Sequence, residues 1–253
     1  MSRKPFLRLP ADFISGRKRP ILGVLLLAFV GAAWAQAPVG EPWFTDYVQG
    51  NLTDWNSQLT NAKIELPSPP TSDSLYNLLV AEFGAAGTEM KHHHANAAKQ
   101  LLKEAMPQLA TLKSLETSAR TWFISAALNS LAIHIDPWQA PFLGPKVQQE
   151  IQNAQQADPS LPEVWMMKGE ISYNEPPMFG GSTEKALEYW QKARRLWQNG
   201  PSEARHTWLY LYDLADLLKA LNKAGHSNQA QEIWQEMLTE APGLASQHDR
   251  FWP

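Results

Sequence analysis

A small or medium apolar residue, a large one four places on and a third three places after that recur along this chain, and this spacing fits a stack of helix pairs. The clearest copy is Ala230, Trp234 and Met237, at i, i+4 and i+7, closed by Pro242. It follows a stripe of Leu214, Leu217, Leu218 and Leu221 that ends at Gly225, so two amphipathic helices face each other across a short turn. Ala186, Trp190 and Ala193 repeat the spacing, as do Val147, Ile151 and Ala154 before Pro159, and Ala98, Leu102 and Ala105 further back. Partner helices are expected over 115–134 and 75–87. No run past Gln36 alternates apolar and polar residues as a half-buried strand would. The expected fold class is all-α, a right-handed α-α solenoid over 71–253.

The residues from Asp158 to Pro242 resemble tetratricopeptide repeats. Gly169, Ala186, Trp190 and Ala193 stand in the first, and Leu218, Ala230, Trp234 and Pro242 in the second. The first departs from the usual pattern, because Asn174 to Gly181 replaces a tight turn with an enlarged loop. Gly144-Pro145-Lys146, Asp158-Pro159, Pro177-Met-Phe-Gly-Gly181 with Lys185-Ala186, the Pro242 turn and an aromatic C-terminal segment are together similar to a family of uncharacterised exported bacterial proteins of this type. The resemblance implies the fold and export, and no activity.

Residues 1–35 read as a signal peptide. Six basic residues precede the uncharged run Ile21 to Ala33, which is shorter than the roughly 20 residues of a comfortable bilayer span, and Ala33-Trp34-Ala35 offers a cleavage site. An uncleaved anchor is the competing reading. The expected address is the periplasm or the medium, with loose membrane association allowed. Residues 36–70 form a Pro-rich arm with a helix over 44–59, docked through Trp43, Tyr47 and Trp55.

Without residues 1–35 the chain holds 16 basic and 24 acidic residues, a net charge of −8, which disfavours nucleic acid as a partner. It has no cysteine, hence no disulfide, thiolate metal site or cysteine nucleophile. The Gly180-Gly181 turn lacks the strand and lysine of a phosphate loop, and Ser182 is better read as the cap of the next helix. Glu89 with His92, His93 and His94 is the one candidate metal cluster; Glu89 and His93 share a face only if the helix continues through them. Ser160 and Glu163 have the spacing of a capping box. The usual hydrolase, dinucleotide and calcium-binding motifs are missing, and Glu150, Asp213 and Asp216 have no catalytic spacing. The expected function is therefore non-enzymatic, with no cofactor and no metal. The preferred reading is a scaffold for an envelope protein or peptide, with Trp208 and Tyr212 as groove anchors, Arg205 and Asp213 flanking them as a polar rim, acidic rims favouring a basic partner, and Met178 and Phe179 pointing in as a plug or out as a contact. A periplasmic small-ligand carrier for solute uptake and a His-rich metal-handling protein are the alternatives.

Overall fold

The computed structural model describes residues 40–251, and the proposed signal peptide lies outside them. Among the described residues there are twelve α-helices and no strand. The arm supplies α1 (Gly40–Gln49) and α2 (Leu52–Ile64). Four pairs follow: α3 (Ser72–Lys91) with α4 (Ala95–Leu115), α5 (Ala119–Ile135) with α6 (Ala140–Ala157), α7 (Pro162–Asn174) with α8 (Thr183–Asn199), and α10 (Trp208–Lys223) with α11 (Ser227–Glu240). The short α9 (Ser202–Arg205) links the last two pairs, and α12 (His248–Phe251) ends the described chain. The first helices of successive pairs touch in order, α3 on α5, α5 on α7 and α7 on α10, a packing consistent with a stack of helical repeats.

Local chemistry explains most boundaries. Thr71, Ser118, Ser182 and Thr207 each accept a hydrogen bond from the backbone N–H three residues on, capping α3, α5, α8 and α10. Gly225 ends the α10 turn at φ +79°, where a Cβ is disfavoured. The arm helix expected over 44–59 is instead two helices, because Gly50 turns at φ +69° and Asn51 caps α2. The Ser160–Glu163 capping box does not form. The Ser160 hydroxyl donates to Asp158 Oδ1 at 2.6 Å, α7 starts with Pro162 after Leu161, and Glu163 turns into the core.

Within the pairs, small residues receive large ones. A Cβ on Gly169 would stand 2.6 Å from Trp190 Nε1, so the α7 glycine is the notch for the α8 tryptophan. The longest-range notch is Gly84 on α3, where a Cβ would lie 2.5 Å from the Trp55 ring and 2.9 Å from the Trp208 ring. Those two indoles meet edge to face at 5.3 Å, and Trp55 Nε1 donates to Ala81 O at 3.0 Å. Phe83 meets Tyr212 edge to face and lies tilted against Trp208, Tyr47 lies beside Trp208, and Arg250 donates to Tyr47 O. First pair, last pair and arm thus share one aromatic cluster.

Behind it lie buried carboxyls. Burial pushes Glu163 up to about 7, and burial with Asp216 pushes Glu170 up to about 8. Burial, Asp216 and Glu170 raise Asp213 well above its ordinary range. Glu150 is held differently: Lys113 Nζ at 3.0 Å, Ser125 Oγ at 2.5 Å and Asn129 Nδ2 at 2.8 Å all donate to it.

Two predictions follow from this packing. Gly84→Ala forces the indoles apart and is expected to cost about 1–3 kcal/mol in urea unfolding. Gly87→Ala on the same helix meets nothing within 4 Å and gains up to about 1 kcal/mol from helix propensity. Stability also falls with rising pH. Below about pH 4.5 Glu163 is neutral in folded and unfolded chains alike; above it the unfolded chain ionises while the folded one keeps its proton up to about 7. At about 1.4 kcal/mol per pH unit, this group removes about 3 kcal/mol across that window. Thermal melts at pH 5 and pH 8 should differ in that direction, and Glu163→Gln should shrink the difference.

Candidate binding groove

The six residues from Pro177 to Ser182 decide the shape of the α7–α8 connection. A 3₁₀ turn over Pro177–Phe179 ends at Gly180, φ +104°, and Gly181 passes so close to α7 that a Cβ would sit 1.8 Å from Glu175 O. The base is then stitched shut, with Ser182 N donating to Ser172 O at 2.8 Å and Ser172 Oγ to Ser182 O at 3.1 Å. A short, tied base leaves the tip outside. Met178 is 83% exposed and Phe179 71%, so they point outward.

Beside this loop runs an open groove of about 540 Å³ between α6 and α8, with α7 as its floor. One wall is the outer face of α6, carrying Gln148, Gln149, Gln152, Gln155 and Gln156, while Val147, Ile151 and Ala154 hold the helix to the core. The floor gives Lys168, Ile171 and Glu175, and the far wall Lys185 and Tyr189. Gln148 donates to Glu175 at 2.7 Å and Lys168 to Gln155 at 2.6 Å, so both ends of the wall are oriented. The mouth is formed by Pro145 and Gly180. One helical turn before Pro145 stands Phe142, 81% exposed, and before it Trp138, 88% exposed, on a 3₁₀ turn capped by Asp136. Phe142 thus stands one turn from Pro145, and Met178 and Phe179 directly precede Gly180, so exposed apolar side chains adjoin both residues of the mouth, a kind of surface that marks interaction sites.

The residues expected as anchors are distributed differently. Trp208 is 3% exposed and buried in the aromatic cluster over Gly84, and Tyr212 packs against Phe83 and Trp208. They face inward because α3 and the arm occupy the surface that an open stack would leave free. Arg205 ties α9 to α11 through Glu240 at 3.1 Å and reaches Gln198 O. The groove between α6 and α8 is lined by Lys168 and Lys185 against one carboxylate, Glu175.

The histidine run also differs from its expected geometry. Helix α3 stops at Lys91, His93 adopts φ +62°, and His94, not His93, returns to Glu89 with Nδ1 2.8 Å from Oε2. Among the described residues no group of three or more His, Asp or Glu side chains is placed to hold a metal ion. Of the carboxylates named from sequence, Glu150 is bound to Lys113 on another part of the fold, while Asp213 and Asp216 lie near each other on α10, Asp213 buried and Asp216 paired with Lys219.

Sequence reasoning passed over the glutamine wall, Trp138 and Phe142. A signal was present for Phe142: it falls on the stripe of Pro145 and Gln149, off the Val147–Ile151–Ala154 stripe that anchors the helix.

No protein-family model matches the chain, and no curated protein matches it by sequence. Among solved structures, the chain is similar to the HusA haemophore from Porphyromonas gingivalis, with a TM-score of 0.56 and 17% identity over 71% of this chain and 92% of that one. That likeness extends to the helical fold. No described helix is long and apolar enough to cross a membrane.

Gly181→Ala is expected to lower stability by about 1–3 kcal/mol, since the carbonyl it strikes belongs to the fixed end of α7. It should also expose the Pro177–Gly180 loop to limited proteolysis. Phe179→Ser should leave the melting curve within about 0.5 kcal/mol of wild type, as its side chain lies outside the core.

Proposed function

We propose that this chain is an exported, non-enzymatic binding protein, built as a tetratricopeptide-like solenoid, that takes a segment of an envelope protein or peptide into the groove between α6 and α8. The observation that carries the reading is an amide-lined open groove whose mouth residues, Pro145 and Gly180, are neighboured along the chain by the exposed Trp138, Phe142, Met178 and Phe179. An extended segment offers both N–H and C=O groups, and each glutamine amide can donate and accept, so the α6 wall suits backbone recognition. Phe142, Phe179, Met178 and Trp138 would supply the apolar burial that fixes the segment at one end. Of the anchors first expected, Met178 and Phe179 remain in the proposal, and the core residues Trp208 and Tyr212 leave it.

The test is a pull-down from envelope extract with the chain from residue 36 onward, the captured proteins being mapped with overlapping synthetic peptides. A Phe142→Ser/Phe179→Ser variant is expected to lose at least ten-fold in peptide affinity while melting as wild type. Equal capture by both forms would remove the groove from the function.

A second reading, a carrier of a small amphipathic molecule, is favoured by the fold shared with a haemophore. Trp138, Phe142 and Phe179 offer ring faces to a flat macrocycle. Titration with haem decides between the two: a Soret shift in wild type that the same double variant abolishes would favour the carrier.

A further inference from the structure

Lys168 and Lys192 meet at the Trp165 ring toward the inner end of the groove, with Lys185 on the same face of α8 nearer the mouth, and among the described residues none of the three has an acidic partner. Lys185, Tyr189 and Lys192 lie four and three residues apart on one face of α8, and Lys168 comes up from α7. Lys192 Nζ sits 3.3 Å from the centroid of Trp165, and Lys168 Nζ 4.9 Å from the same ring and 4.8 Å from Tyr189. The indole is held in place by its Nε1, which donates to Pro159 O at 2.8 Å. Two ammonium groups thus share one aromatic ring and repel each other. Burial together with Lys192 pushes the Lys168 ammonium below the ordinary lysine value.

Among the described residues, none of these three lysines forms an ion pair, and the feature that sets Lys168 and Lys192 apart is that both lie against one indole beside the groove. The acids on the same elements are engaged elsewhere or turned out. Glu175 accepts from Gln148, Glu184 accepts from Ser182, and Glu188 is exposed. In a chain with an excess of acids, an unpaired cationic cluster at the end of a groove is a local reversal of charge.

We propose that Lys168 and Lys192 form a carboxylate subsite, so that the groove selects a bipolar ligand with an apolar end at the mouth and an anionic end here. The proposal rests on the α6–α8 groove as the binding site. Seven residues of helix, about 10 Å, separate Lys168 from Glu175 at the mouth, and Phe142 lies further out. Three extended residues span about 10 Å, so about four to six reach past Glu175. A bound carboxylate relieves the repulsion between the two ammoniums, and the aromatic faces keep both close to it.

The probes are an N-acetylated hexapeptide that begins with phenylalanine and ends in a free carboxylate, its C-terminal amide twin, laurate and lauramide. Each is titrated calorimetrically into wild type, Lys168→Gln/Lys192→Gln and Phe142→Ser/Phe179→Ser. An acid is expected to bind at least ten-fold tighter than its amide, and the lysine variant should bring acid and amide to the same affinity. Discrimination confined to the peptide pair assigns the carboxylate to a polypeptide, and discrimination confined to laurate assigns it to a small amphiphile; either supports the subsite. Equal binding of acid and amide to wild type, or discrimination that survives the lysine variant, overturns it. Amide probes that bind wild type but not the mouth variant would show that the groove stands although the subsite has failed. No binding of any probe would remove both.

Discussion

The contact on which the remaining structure depends is the insertion of Trp55 and Trp208 into the notch over Gly84. A stack of helix pairs ordinarily has contacts only between neighbours, so its first and last members never meet. Here α3 of the first pair and α10 of the last pack against the same two indoles, and the arm lies over them through Tyr47. The inner surface is thereby filled by aromatic side chains. The groove where α6 and α8 flank α7 stays open.

Closing the inner surface has an electrostatic cost. Glu163, Glu170 and Asp213 sit on the helices that meet there, and burial holds each above its ordinary pKa. Lys113 offsets the charge of Glu150 elsewhere, but no described base forms an ion pair with Glu163, Glu170 or Asp213, so these groups favour their neutral forms. The acidity of the chain is therefore partly suppressed inside it. Net charge read from composition overstates the negative field that a ligand meets at the groove, where the local side chains are mostly lysine and glutamine.

The helix pairs were legible because their determinants are local: the Ala186–Trp190–Ala193 spacing, the Ser182 cap and the Gly225 turn each act within a few residues. The capping box at Ser160 failed because Asp158 lies closer to the hydroxyl and Pro162 starts the helix after Leu161. Trp208 could not be placed from sequence, since its partners Trp55 and Gly84 lie more than 120 positions away and a glycine inside a helix gives no sign of what it receives. The glutamine wall was illegible for another reason. A polar helix face looks the same whether it meets bulk water or lines a groove, and only the opposite wall, Lys185 and Tyr189, makes it a site.

The enlarged loop between α7 and α8 links these levels. A tight turn would bring α8 straight back along α7 and leave the mouth without an overhang. Gly181 instead lets the chain press on Glu175 O, and the Ser172–Ser182 pair ties the base, so Met178 and Phe179 are held exposed on the loop beside Gly180 at the mouth. Rigid attachment matters for recognition, because an apolar anchor on a tethered base loses less freedom on binding than one on a free loop. The same two glycines that looked like a phosphate cradle therefore act through backbone geometry. They hold an apolar contact at one end of a groove whose other end gathers Lys168 and Lys192 on Trp165.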